Sequence, residues 1–447
     1  MMEKLCKELT STYDTNILDN EDKTVQDEFL NVSRKNRKNK GGKKVLMQLI
    51  CNHYDENVQK LKPNAEFIGG PKTLSIHWHP GFKKMIYIFG EWHANITDCD
   101  KFEKDSKPSS GGGELSSNTI LIENYLYDLM QKTDVFLDIY IEIVSYKNGE
   151  YEGRQYVPGR TDELFKKFRT CLQYNTRSDI SCQLARVHYF DIRGNDVKET
   201  NIEENKIGIL WFKEKLAYII LNKEGVKDAI FDLKLMLKTY PKILTLLKEL
   251  VNDDIKKVCE FMKKQLEENI YIKKELSKIN NPQIKPFILN FYGKLIYKEV
   301  LRIIPIIKKD ILNILNYEKK LDDVLLKSIE TIEIFLGTTT TYFADVYLIA
   351  RVFKDFDMEK KKDKSYFDQP NRAHNIIIYC GNTQAINNTD FLSSMGFHDI
   401  EHTGDLREDI LNKIPKTPKY CLDMRKIKQP FFSYSNLPTT PKIVRKI

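Results

Sequence analysis

The sequence predicts an α/β fold: a mainly parallel sheet flanked by helices, with a large inserted α-helical region. Three observations lead there. Short apolar runs such as "KMIYIFG" (84–90) alternate with amphipathic stretches over about 45–200. A block over about 205–340 then carries apolar residues at spacings of three and four with Lys and Glu between them. Beyond it, "HNIIIYCGNTQAINNTDFLSSMGF" (374–397) restores the strand-and-helix rhythm, so the sheet is built from both ends of the chain.

Length and composition bound the rest. The 447 residues are 41% hydrophobic, enough for a sizeable core. The net charge of +8 is a small excess of 71 basic over 63 acidic residues, which gives no strong nucleic-acid signal. Lysine clusters at 34–44 and 357–364 read as solvated loops rather than sites for nucleic acid or anionic lipid. The start "MMEKLCKELTSTYD" lacks the apolar core of a signal peptide, and no stretch has the ~18 apolar residues of a membrane span. A cytoplasmic protein is expected. Eight cysteines with no CxxC pair exclude a zinc ribbon and a disulfide scaffold. Cys171 and Cys182 flank a polar loop and either bridge or remain buried thiols; a reducing cytosol favours thiols.

Taken in order, residues 1–44 form a polar extension, 45–420 the α/β domain with its helical insertion at about 205–340, and 421–447 a C-terminal tail. The first strand, "KMIYIFG", ends at Gly90, which permits a sharp turn, and is followed by "DSKPSSGGGELSSN" (105–118), a flexible loop by composition. "TILIENYLYDLMQK" is a helix, "DVFLDIYIEIV" (134–144) a second strand and "RVHYFDIRG" (186–194) a third. Strand, loop, helix, strand is a βαβ unit, whose parallel strands open their carboxyl ends on one side. "TYFADVYLIARVFKDFD" (341–357) continues the helical block, and its Leu/Ile stripes are the core of a bundle. After it come a buried strand, a Gly turn, a polar loop and a helix.

Reactive groups in open α/β sheets collect at the carboxyl ends of strands. Glu91 and His93 stand at such an end, and their i, i+2 spacing in extended chain puts both on one side. A carboxylate with an imidazole suits a divalent metal or acid/base work. In the second strand Asp138 and Glu142 share a face with Phe136, Tyr140 and Val144, and buried acids need a cation, a partner or water. In the third, Asp191 and Arg193 alternate with Val187 and Tyr189 on one face, as that partnership or as a substrate clamp. His188 faces the other way, a packed or surface histidine.

These motifs resemble the divergent superfamily of ChaN-like, TraB/TIKI-type and erythromycin-esterase-like proteins. The resemblance rests on Gly90, Glu91 and His93, on Asp138 and Glu142, on Asp191 and Arg193, and on "IIIYCGNTQA" with Gly381; it covers about 85–195 and 341–400. It implies an α/β fold with a helical part and a hydrolase, in some members metal-dependent, acting on a small molecule or peptide. The Lys/Asn/Ile-rich composition suits a giant-virus member, located in the virion or host cytoplasm. The resemblance further implies a G-x-x-H at the last strand. Here that position is Gln384, which hydrogen-bonds but is a poor metal ligand and no general base. His374, His398 and His402 are not assigned as replacements.

The expected mechanism is hydrolysis. His93 or Glu91 activates water, on a divalent ion held by Glu91, His93 and a strand acid such as Asp191. Arg193, Gly381 and Gln384 bind substrate, Arg193 steadying an anion or the oxyanion. No G-x-S-x-G, Walker loop or G-x-G-x-x-G occurs, and "GGGE" at 111–114 is a flexible segment rather than a phosphate cradle. Cys380, before the Gly381 turn, is a buried strand cysteine rather than a nucleophile. The alternative is a catalytically inactive structural or ligand-binding protein that keeps the fold, favoured by Gln384 and the long helical block.

Overall fold

In a computed structural model of the chain, residues 64–92, 99, 119–133, 135–144, 160–169, 171, 184–193, 208–221, 225–252, 254–356, 370–404 and 421–432 are described. The polar extension at 1–44, the loop at 105–118, His93 and Cys182 lie outside them. The chain divides into two compact units, one of 1–140, 155–188 and 357–447, the other of 141–154 and 189–356. The architecture is mixed α/β, with a sheet of mostly parallel strands flanked by helices.

The strands follow the apolar runs. They are β1 (Phe67–Gly69), β2 (Thr73–His79), β3 (Lys84–Glu91), β4 (Thr119–Leu121), β5 (Leu137–Val144), β6 (Ala185–Asp191), β7 (Asn375–Gly381), β8 (His398–Thr403) and β9 (Cys421–Asp423). Six form one sheet in the order β6-β5-β7-β3-β2-β8, and three form another in the order β4-β1-β9. β3 and β7 pair in parallel with Glu91 opposite Gly381, while β2 runs antiparallel to both β3 and β8. "KMIYIFGE" and "NIIIYCG" are buried along nearly their whole length, as expected of parallel strands covered on both faces. The division between the units falls within β5, after Tyr140, and within β6, after His188.

The helices of the first unit are α1 (Ile122–Lys132) and α2 (Arg160–Arg169), with α10 (Asn382–Ser394) following β7. Two local expectations are corrected here. Gly90 makes no turn: β3 runs through it to Glu91, and its lack of a side chain serves close packing instead, since a Cβ would lie 2.4 Å from Thr73 Oγ1 of β2 and 2.7 Å from Asn382 Oδ1 of α10. The polar loop after Gly381 is likewise absent, since α10 begins at the next residue.

The cysteines depart from the thiol expectation. Cys99 and Cys421 form a disulfide packed with Phe67, and Cys171 is also disulfide-bonded. A separation of 322 residues is invisible to spacing in the sequence, and burial of both sulfurs beside Phe67 brings the pair together. The bond fastens Cys99 to β9, so the start of the segment expected to be a tail is paired into the sheet through Cys421 opposite Gly69. Cys380 is a buried thiol against the Phe89 carbonyl.

The second unit carries the helical run α3 (Ile209–Leu221), α4 (Val226–Thr239), α5 (Pro241–Leu250), α6 (Ile255–Glu268), α7 (Ile270–Leu276), α8 (Ile284–Leu315) and α9 (Asp322–Phe353). α8 and α9 pack lengthwise. Ile288, Tyr292, Ile296 and Val300 of α8 and Leu325, Ile329, Ile332 and Leu336 of α9 recur at three and four spacing and are buried. Asn313 donates to Ser328 across the pair at 3.1 Å. A buried ion pair joins Glu275 of α7 to Lys354 just past α9; burial, with the Arg351 charge, pushes the lysine down to about 8 despite that carboxylate. Among the described residues no helix is long and apolar enough to cross a membrane.

Candidate functional site

The end of β3 brings a charge into the core and then leaves it. Glu91 is 1% exposed and its neighbour Trp92 is 52% exposed, with the Lys72 ammonium 4.9 Å from the indole ring. A carboxylate so buried needs donors. Tyr379 Oη donates to Glu91 Oε2 at 2.5 Å, and Thr161 Oγ1 donates to Oε1. Each donor sits where its element ends or begins: Tyr379 two residues before the end of β7, Thr161 in the first turn of α2. Both hydroxyls direct their hydrogens to the carboxylate.

Beside Glu91 lies the start of α10. Gly381, its N-cap, pairs with Glu91 in the β3–β7 ladder and supplies no side-chain cap. The first turn therefore directs N–H groups and the positive end of the helix dipole toward the strand ends. Thr73 Oγ1 donates to Asn382 Oδ1 at 2.9 Å, fixing that turn against β2. Gln384, third in the helix, is 2% exposed, and neither its amide oxygen nor its amide nitrogen has a hydrogen-bond partner among the described residues. Leaving an amide so costs about 1–3 kcal/mol, which marks the position as one that a water or ligand completes. Glu91, Gly381 and Gln384 all belong to the first unit.

Asp138 belongs to the same unit but has its own partners. Arg186 grips it with Nε at 2.7 Å and Nη2 at 2.9 Å, and His188 Nε2 lies 3.1 Å from Oδ1. Arg186 also donates to the Pro370 carbonyl at 2.7 Å, and the His188 ring stacks on Tyr140. Burial by itself would raise the Asp138 pKa; the Arg186 charge and the hydrogen bonds from both partners outweigh it and hold the carboxyl well below the usual range. His188 is thus a packed histidine with a specific bond.

Glu142, Asp191 and Arg193 form a third group, in the second unit. Arg193 reaches Asp191 with Nε at 2.8 Å and Nη2 at 2.9 Å, and Nη2 also meets Glu142 at 2.7 Å. Its Nη1 donates to Thr341 Oγ1 at 3.3 Å. Burial pulls Asp191 upward, and the Arg193 charge and hydrogen bonds reverse this to leave it lowered. Of the two roles open to Asp191 and Arg193, the geometry realises the partnership.

Within the first unit Glu91 lies beside the start of α10 and Asp138 has its own partners; within the second, Glu142, Asp191 and Arg193 come together; His93 lies outside the described residues. Asp191 is held by both oxygens by Arg193, and among the described residues no group of three His, Cys, Asp or Glu side chains is placed to hold an ion, which leaves the expected metal set unsupported. Sequence reasoning missed Tyr379, Thr161 and Arg186. Tyr379 carried a signal, the one hydroxyl in the run "NIIIY", in phase with Gly381; Arg186 carried another, a charge opening a buried strand. Thr161 carried none, since only the fold brings α2 to β3. Comparison with protein-family models, with curated proteins and with solved structures gave no match for this chain.

Proposed function

We propose that this chain is a hydrolase of the ChaN-like, TraB/TIKI and erythromycin-esterase-like type, its helical run an insertion in the α/β fold, with its site at the carboxyl ends of β3 and β7. The observation that supports this reading is the Glu91 carboxylate, buried at the carboxyl end of β3 beside the start of α10 and accepting from the Tyr379 and Thr161 hydroxyls. Asp138 and Asp191 are each gripped at both carboxylate oxygens by a guanidinium group. Glu91 takes a proton from water as the water oxygen bonds to the acyl carbon of an ester or amide. The negative charge that develops on the acyl oxygen meets the first turn of α10 and the Gln384 amide. The bond to the leaving group then breaks, and Glu91 returns the proton to it.

One observation favours the non-catalytic alternative: Gln384 stands where the resemblance implies a second histidine. One experiment separates the two. Wild type, Glu91→Gln and Asp138→Asn are assayed on p-nitrophenyl esters and p-nitroanilides, with melting temperature and metal content recorded. A hydrolase loses about 10²–10⁴-fold in Glu91→Gln with melting little changed, while Asp138→Asn, which strands Arg186, loses about 3–5 kcal/mol of stability. No turnover by wild type, or collapse of the fold in Glu91→Gln, would sink the hydrolase reading.

A further inference from the structure

A helix packed in a bundle turns one stripe inward and normally mixes charges of both signs outward. In the second unit α6 does so: Lys256 is paired with Glu260 at 4.0 Å, Lys263 with Glu267 at 3.8 Å and Lys264 with Glu268 at 3.9 Å. The outward face of α8 is different. Along it run Lys294, Tyr297, Lys298, Leu301, Ile306 and Lys309, all exposed, with Tyr297 at 45%, Leu301 at 39% and Ile306 at 65%. Its acids are part-buried and occupied, Glu299 with Arg302 at 2.6 Å and Asp310 with Ser328 at 2.9 Å. Lys294, Lys298 and Lys309 have no anionic partner among the described residues. Large apolar side chains and unpaired lysines thus alternate along four turns with no exposed acid among them.

We propose that this face of α8 docks on an anionic phospholipid surface. The lysine stems lie along the acyl boundary with their ammonium groups among the phosphates, Leu301 and Ile306 enter the apolar layer, and Tyr297 sits at headgroup depth. The charge selects a polyanion. The apolar side chains select lipid over nucleic acid, whose backbone offers phosphates but no apolar layer. The face lies wholly in the second unit and is independent of the Glu91 site.

The test is co-sedimentation of the full chain with vesicles of equimolar phosphatidylserine and phosphatidylcholine, against vesicles of phosphatidylcholine alone and a DNA duplex. The expected result is salt-sensitive binding to the phosphatidylserine vesicles only. It falls by roughly fivefold or more in Lys294→Glu/Lys298→Glu and also in Leu301→Ser/Ile306→Ser, with melting unchanged, and persists in Lys263→Glu. The proposal is overturned by absence of phosphatidylserine-dependent binding. It is equally overturned if the binding is lost only in Lys40→Glu/Lys43→Glu, or if DNA binds as well as lipid and the Leu301→Ser/Ile306→Ser variant is indifferent.

Discussion

A charge in a protein interior is tolerated only when something answers it, and the kind of answer decides what the residue can still do. Asp138 receives a guanidinium and an imidazole, Asp191 the guanidinium and the backbone N–H of Arg193, and Glu91 accepts from the Tyr379 and Thr161 hydroxyls among others. Histidine has a third option, to stay neutral. His77 is fully buried on β2, its Nε2 2.9 Å from Ser75 Oγ and its Nδ1 without a partner among the described residues. Burial lowers its pKa from 6.5 to about 4. Between those values the unfolded chain binds the proton that the folded chain refuses, so stability is full above pH 6.5 and is lost as the pH falls toward about 4. At about 1.4 kcal/mol per pH unit the loss is on the order of 3 kcal/mol. Urea denaturation on either side of that window, with His77→Asn beside wild type, checks it. An identical pH slope in the two proteins would assign the effect elsewhere.

Elements meet here through residues chosen for closeness rather than for turning. Gly90 sits inside β3 with Thr73, Asn382 and the Ala385 methyl crowded where its side chain would be. Gly90→Ala is therefore expected to push α10 from the strand at a cost of roughly 1–3 kcal/mol, read from denaturation midpoints. A variant as stable as wild type would show that the helix yields freely. β3, β5, β6 and β7 were legible because each is an apolar run bounded by breakers. "TLSIHWH" was not: its polar positions are buried too, Ser75 against Thr389 at 3.1 Å and Thr73 against Asn382, and that polar face is paired with α10 only in three dimensions. The three-residue strands β1, β4 and β9 carry no periodicity at all.

At the scale of the molecule, the Cys99–Cys421 bond spans 322 residues of sequence. Closing a loop of that size restrains the unfolded chain strongly, and its loss is expected to cost about 2–5 kcal/mol. Urea denaturation with and without reductant, and of Cys99→Ser, measures it. Equal midpoints for reduced and oxidised protein would mean that the bridge adds nothing to stability.

The sequence by itself determined the mixed α/β character with a mostly parallel sheet, the helical run between β6 and β7, and the strands that carry the acids, because apolar period and strand-end polarity are local properties of the chain. Only the tertiary structure decided which charges neutralise one another, since partners such as Arg186 and Asp138 stand 48 residues apart. It also brought the Thr161 and Tyr379 hydroxyls to Glu91: a hydroxyl 70 or 288 residues away leaves no trace in the spacing around the residue it holds.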